Sequence, residues 1–232
     1  MKKNYLIIAS AALLFIGTLF FYHRQKPSQK MYTTQEINQI IDDVYTDVSG
    51  FSIAMHEREF IEDQGGNPTY GEITIESVAK LLSDLHLTAK DYFFDLGSGV
   101  GKVCVQAALT TPAYAIGVEL SPTRYQGAQL IKDELIKRTI LTNPDKLTFI
   151  EQNITNANLS KATVIFMCST CFSDSLMETL ANKMAHECNP GLRVITLKSL
   201  PQHEQFVLIK KYELPMTWSQ GSPVYLYELQ RS

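Results

Sequence analysis

The sequence predicts an α/β domain built on a mainly parallel sheet, with helices on both faces and an antiparallel hairpin at its C-terminal edge. Three observations carry this reading. Apolar runs of strand length alternate with segments of helical periodicity between Tyr92 and Leu197, the pattern of strands joined by crossover helices. The run Tyr92-Phe93-Phe94 ends in Asp95 and is followed by Gly97, Gly99 and Gly101, a strand, tight turn and helix of the kind that opens a nucleotide-binding sheet. The last two apolar runs, 205–214 and 223–229, are joined only by a turn, so they form a hairpin and not a further crossover.

Bulk properties narrow the function classes. A chain of 232 residues holds one catalytic domain and an appendage. The formal charge of -3 is close to neutral and lacks the basic excess of a nucleic-acid surface. Cys104, Cys168, Cys171 and Cys188 are scattered in or beside apolar segments, which argues for free thiols and a reducing compartment.

The appendage comes first. Lys2 and Lys3 precede residues 5–22, which carry no charge. At ~1.5 Å per residue, about 18 apolar residues nearly match a hydrocarbon core of ~30 Å. A cleaved signal peptide competes, but the run ends in Phe20-Phe21-Tyr22 with no small-x-small site before His23. Residues 1–24 are therefore expected to be a single transmembrane helix. Arg24, Lys26 and Lys30 follow it, and this basic bias favours a cytosolic catalytic domain at a membrane. Residues 25–33, with Pro27, form a polar tether.

The remaining elements follow in order. Thr34 caps a helix reaching Val48, with Ile37, Ile40, Ile41, Val44 and Val48 on one face. Residues 51–66 fit no single pattern and end in a glycine-rich loop, so 34–66 reads as a helical segment and loop preceding a catalytic domain at 67–232. Ile75, Val78, Ala79, Leu81, Leu82 and Leu85 form an apolar helical stripe. Residues 103–109 read as the helix after the glycine turn, and 113–119 as a buried strand. Ser121 and Pro122 start a helix running to Ile140. Strands are expected at 146–151, 162–167 and 191–198, with a helix at 173–186 between the last two.

The glycine turn carries the chemistry. Its G-x-G-x-G spacing, with Asp95 two residues before Gly97, departs from the G-x-G-x-x-G dinucleotide pattern. No Lys-Ser/Thr pair closes it as a phosphate loop would require. It fits the S-adenosyl-L-methionine loop of class I, Rossmann-like methyltransferases; a glycine turn without a ligand is the alternative. Glu119 ends the second strand, where a carboxylate accepts hydrogen bonds from ribose hydroxyls. Asn153 follows the third strand, placed to read an adenine edge, with Ile154 to pack on the ring. Tyr70 and Glu72 lie among Gly65, Gly66 and Gly71, a segment suited to folding over a cofactor as a lid.

Cys168-Ser169-Thr170-Cys171-Phe172 follows the fourth strand, at the edge where open α/β sheets place ligands. The C-x-x-C spacing raises a redox pair or half a zinc site. A second ligand pair is lacking, so no metal is expected, and small residues shaping a substrate channel fit better. Phe172, Trp218, Tyr225 and Tyr227 are candidates for its walls. Methyl transfer needs alignment and a dry site more than acid–base groups.

Taken together, Tyr70-Gly71-Glu72, the D-L-G-S-G-V-G run at 95–101, Gly117-Val118-Glu119 and the V-I-F-x₅-F run at 164–172 resemble one family. It is the disruptor-of-telomeric-silencing family, the non-SET histone lysine methyltransferases. The resemblance runs from about residue 67 to 227 and includes Trp218, Pro223, Val224 and Tyr227. It implies S-adenosyl-L-methionine held by Tyr70, Glu72, Asp95, Gly97, Gly99 and Gly101, with Glu119 on the ribose. It also implies a protein substrate presenting a lysine, a histone among the candidates, received beside Cys168, Ser169, Phe172 and Tyr227. There are departures. Cys168 and Ser169 stand where the family has a pair of asparagines, Lys102 where it has glutamine, and Asn153 and Ile154 where it has an acid and a phenylalanine. An RNA or small-molecule acceptor, and a non-catalytic membrane-anchored binding module, stay open beside the lysine reading.

Overall fold

The computed structural model describes residues 29–230. The anchor expected at 1–24 lies outside them, and among the described residues no helix is long and apolar enough to cross a membrane. Three helices precede the sheet: α1 (Thr34–Val44), α2 (Met55–Asp63) and α3 (Ile75–Leu85). Then come β1 (Tyr92–Leu96), α4 (Lys102–Thr110), β2 (Tyr114–Glu119), α5 (Pro122–Lys137), β3 (Leu147–Glu151), β4 (Val164–Met167), α6 (Asp174–Glu187) and β5 (Arg193–Thr196). The hairpin β6 (Phe206–Met216) and β7 (Ser219–Leu229) closes the chain.

The seven strands are ordered β3-β2-β1-β4-β5-β7-β6. β1 to β5 are parallel, while β7 runs antiparallel to both β5 and β6. Sequence therefore gives the right sheet: parallel strands joined by helices, with the hairpin inserted at one edge. The order reverses at β1, whose carboxyl end meets both β2 and β4, and this is where open sheets form a crevice. Each face has its own apolar core. One core joins α1, α3, α4 and α5 to Phe93, Ala115, Phe149, Val164 and Phe166. The other sets α6, through Met177, Leu180 and Met184, against Phe94, Leu96, Ile165 and Met167.

Several boundaries differ from expectation for identifiable reasons. Thr33, and not Thr34, caps α1, because Thr33 and Glu36 form a reciprocal capping box. The helix stops at Val44 because Tyr45 turns inward, its hydroxyl donating to Val100 O at 3.1 Å. The ambiguous 51–66 stretch contains α2. α5 ends at Lys137, short of Ile140, where Thr139 takes a left-handed φ of 60°. The hairpin strands run longer than their apolar runs because cross-strand pairing carries polar residues to Met216↔Ser219.

The segment before the sheet is tied to it by buried charge. Glu57 on α2 accepts hydrogen bonds from Thr123 N at 3.0 Å, from Thr123 Oγ1 at 2.5 Å and from Ser121 Oγ. These are groups at the first turn of α5, where a carboxylate also meets the positive end of the helix dipole. Burial works to raise the Glu57 pKa, but the Ser121 and Thr123 donors outweigh it and hold the carboxyl below its ordinary value. Arg124 is 5% exposed and donates to Gly50 O at 3.0 Å and Pro68 O at 2.7 Å. Glu57→Ala leaves buried donors unpaired and should lower unfolding free energy by about 2–3 kcal/mol. Urea unfolding followed by circular dichroism measures it, and Glu57→Gln should lose less because it keeps one acceptor.

Candidate active site

The three glycines of the β1–α4 turn all have left-handed φ, at 85°, 56° and 86° for Gly97, Gly99 and Gly101. Only glycine adopts this without strain. Each also meets a different neighbour. A Cβ on Gly99 would fall 2.5 Å from the Tyr70 ring, and one on Gly101 would overlap Phe149. One on Gly97 would approach only Phe172, at 3.5 Å. Gly99 thus admits the lid, Gly101 lets α4 settle on the sheet, and Gly97 leaves the cavity floor open.

Glu119 fixes this turn to the end of β2. Its Oε2 accepts from Gly99 N at 2.7 Å and its Oε1 from Ser121 N at 2.8 Å. Burial raises its pKa, while those backbone N–H groups and Arg124 pull the other way. A carboxylate held at both oxygens keeps further lone pairs for a ligand.

Above the turn lies a cavity of about 370 Å³, within the ordinary range for cofactor sites. Tyr70, Gly97, Glu119, Asn153, Cys168 and Phe172 line it, as do Ile154 and Trp218. The chain brings these together from opposite ends. Tyr70 is wedged between Gly50 and Gly99, its ring edge-on to Phe51 at 4.9 Å and 4.8 Å from the Arg124 guanidinium. The β6–β7 tip clips the lid from outside. Thr217 N donates to Glu72 O at 2.9 Å, Ile73 pairs with Met216, and Trp218 covers Gly71.

Other expected residues stand behind the lining. Glu72 accepts from Tyr70 Oη at 2.8 Å and pairs with Lys102 Nζ at 2.7 Å, so it braces the lid from within. Asp95 is 2% exposed under the turn, with the Cys104 thiol 4.0 Å away. Burial first, and the nearby Glu119 charge second, push its pKa up to about 8. Ser169, expected at the acceptor, is fully buried with its Oγ 2.6 Å from Thr196 Oγ1 and accepting from Lys198 N. It builds the turn after β4 and does not face the cavity. Tyr227, expected on the channel wall, belongs to the core under α6 because its place in β7 pairs it with Val194 and Leu208. Tyr225 lies beside it, with ring centroids 6.3 Å apart.

Asn153 is partly committed: its Oδ1 accepts from Thr155 N at 3.0 Å, and its Nδ2 donates to Gln64 O at 3.1 Å. It therefore ties the lid's first loop to the end of β3. Burial pushes the Cys168 thiol up to about 12, so it meets the cavity as a neutral group, and among the described residues no cluster suited to a metal ion is present. Arg124, Ile61, Gln64, Leu120 and Leu176 also border the cavity. Sequence reasoning passed over them because each becomes a site residue only when distant segments meet. The serine and proline that begin α5 were the one local sign near Arg124.

Because folding raises the Asp95 pKa from an ordinary 3.8 to about 8, ionisation costs the folded state more than the unfolded chain. That cost is absent below pH ~4, grows as pH rises, and levels off above about 8. Asp95→Asn should therefore gain stability over the parent progressively across this window. Urea midpoints measured across the range check it, and an advantage that is flat with pH would refute it.

A model of the family described as histone methylation protein DOT1 matches residues 60–227. A histone-lysine N-methyltransferase, H3 lysine-79 specific, of Caenorhabditis elegans is 28% identical over 150 residues, covering 61% of this chain and 16% of that protein. The protein of the same description from Gibberella zeae is 27% identical over 168 residues, covering 69% and 33%. The chain thus spans a third or less of the length of these relatives. In fold, an RNA methyltransferase from Salinibacter ruber, in complex with S-adenosyl-L-homocysteine, superposes with a TM-score of 0.52 at 20% identity, covering 67% of this chain and 91% of that one. The magnesium protoporphyrin IX methyltransferase of Synechocystis PCC 6803 with bound SAM gives 0.51 at 14% identity, covering 84% and 97%. The sheet is that of class I methyltransferases, and since the matched span takes in lid, glycine turn, Glu119 and hairpin, the chain belongs to the DOT1 histone methylation family.

Proposed function

We propose that the chain is an S-adenosyl-L-methionine-dependent methyltransferase whose acceptor is a protein lysine. The observation that carries it is Glu119, buried at the cavity edge and held at both oxygens by Gly99 N and Ser121 N. A carboxylate so fixed is preorganised for a pair of ribose hydroxyls. The surrounding residues fit the same cofactor. Ile61, Leu120 and Ile154 offer apolar contact for an adenine, with Asn153 at its edge, and Gly97 keeps the floor open for the amino-acid portion. When bound, the cofactor supplies a methyl group already activated on a sulfonium. The chain has to align the acceptor and exclude water.

Cys168, Phe172, Leu176 and Trp218 surround the other end of the cavity. Such a wall disfavours an ammonium ion and favours the neutral amine that attacks the methyl. Tyr70 closes the lid over the turn, and its hydrogen bond to Glu72, with the Lys102 pair behind, holds the lid down. The family and its named relatives support lysine as the acceptor. The uncharged run 5–22 supports a single-pass anchor, and Arg24, Lys26 and Lys30 after it support a cytosolic side for this domain.

Calorimetry with S-adenosyl-L-homocysteine tests the cofactor site. Glu119→Ala should weaken binding by at least about tenfold, since a charged hydrogen-bond acceptor is worth about 1.5–3 kcal/mol. No binding by the parent chain would refute the reading. Labelled methyl donor added to fractionated lysate tests the acceptor: label should enter protein and resist base treatment that cleaves esters. Label confined to RNA or to small molecules would reassign the substrate, and cofactor binding without any labelled product would point to a binding module.

A further inference from the structure

Strands β4 and β5 are parallel neighbours, with Met167 in register with Thr196 at their carboxyl ends. The chain leaving β4 builds the acceptor end of the cavity, to which it gives Cys168, Thr170, Cys171 and Phe172. The stretch 168–173 reads Cys-Ser-Thr-Cys-Phe-Ser, and Phe172 is its one large apolar residue. Phe172 is itself only partly buried against the core under α6. Hydrophobic burial is therefore a weak determinant of where this wall stands. Hydrogen bonds set it instead, and the chain leaving β5 supplies them.

Ser169 and Thr196 are fully buried. The Thr196 hydroxyl gives its one proton to Lys198 O at 2.9 Å, so Ser169 donates to Thr196 Oγ1 at 2.6 Å and accepts from Lys198 N at 2.9 Å. This closed set holds the start of the wall and fixes the Lys198 backbone beside it. From there the Lys198 side chain reaches the far end, where Nζ donates to Phe172 O at 2.9 Å and pairs with Asp174 Oδ1 at 2.6 Å. The Asp174 side chain is 93% exposed, so the ion pair itself contributes little. The bond to the Phe172 carbonyl matters more, because it fixes the peptide that follows the ring. Phe172 N donates to Ser169 O at 3.0 Å. The backbone is thus held on both sides of a ring that lies over Gly97.

We propose that Lys198 is a positioning residue for methyl transfer. Its ammonium group holds the Phe172 carbonyl, and through it the ring that bounds the acceptor. This rests on the reading of the chain as a methyltransferase. Lys198 does not line the cavity, so its effect passes through Phe172 and leaves the cofactor end untouched. Cofactor binding and acceptor alignment are then separable, with Glu119 governing the first and Lys198 the second.

In the full chain, Lys198→Met removes the donor while keeping an unbranched apolar stem. Its affinity for S-adenosyl-L-homocysteine by calorimetry, and its apparent KM for S-adenosyl-L-methionine, should stay within about twofold of the parent. Label transfer from saturating S-adenosyl-L-methionine to the protein fraction of lysate should fall about tenfold to a hundredfold, the cost of a displacement of about 1 Å. Lys198→Arg keeps a cationic donor and should recover part of that loss, whereas Asp174→Asn should transfer at close to the parental rate. A parent chain that transfers no label would remove the methyltransferase reading and this proposal with it. Transfer by Lys198→Met at the parental rate would overturn the positioning role and leave that reading intact. Parallel loss of cofactor affinity and transfer would show a general disruption of the fold. A loss in Asp174→Asn equal to that in Lys198→Met would place the effect at the start of α6. Either result overturns the role given to the Phe172 carbonyl.

Discussion

The Glu119 carboxylate, pinned between Gly99 N and Ser121 N, is the contact on which the site depends. It joins the turn after β1 to the turn after β2 across the reversal in strand order. Buried carboxylates are costly unless their oxygens are satisfied. The turn must therefore adopt the left-handed backbone that points Gly99 N at Glu119, and glycine alone does this cheaply. The same geometry leaves the Gly99 surface bare for the Tyr70 ring. One buried charge thus sets the shape of the loop, the seat of the lid and the polar end of the cavity.

Closure comes from two parts of the chain far apart in sequence. Residues before the sheet supply the lid, anchored by Arg124 to Gly50 and Pro68 and by Glu57 to the start of α5. Residues at the C-terminal hairpin supply the clip, through Thr217, Met216 and Trp218. Lys102 adds a brace: it opens α4, where a cation opposes the helix dipole, and pairing with Glu72 offsets that penalty. These ties favour a lid already ordered over the cavity, which lowers the ordering cost of binding.

Local signals explain which parts were readable. The glycine turn, Glu119 and the strand–helix alternation are fixed by backbone conformation and hydrophobic period, and both are written in short stretches. The D-L-G-S-G-V-G run placed the turn, and its pairing with Tyr70-Gly71-Glu72 led to the family that the match over 60–227 shows. α2 was not legible because its nine residues, Met55–Asp63, are largely polar, with only Glu57 and Ile61 buried. Its helix is stabilised by what Glu57 reaches on α5.

The sequence by itself determined the sheet, the cofactor turn and the residues at the ends of β1 and β2, because strand period and glycine conformation act over a few residues. Only the tertiary structure decided which polar groups face the cavity. It turned Ser169 toward Thr196 and placed Tyr227 in the core under α6. It spent part of Asn153 on holding Gln64, and it made Arg124 the tie between the lid segment and the sheet. It also packed Gln29 against Ile140 and Thr142, before the amino end of β3 and away from the cavity. Those outcomes depend on which buried donor meets which buried acceptor after distant segments pack, and that pairing is a property of the folded whole.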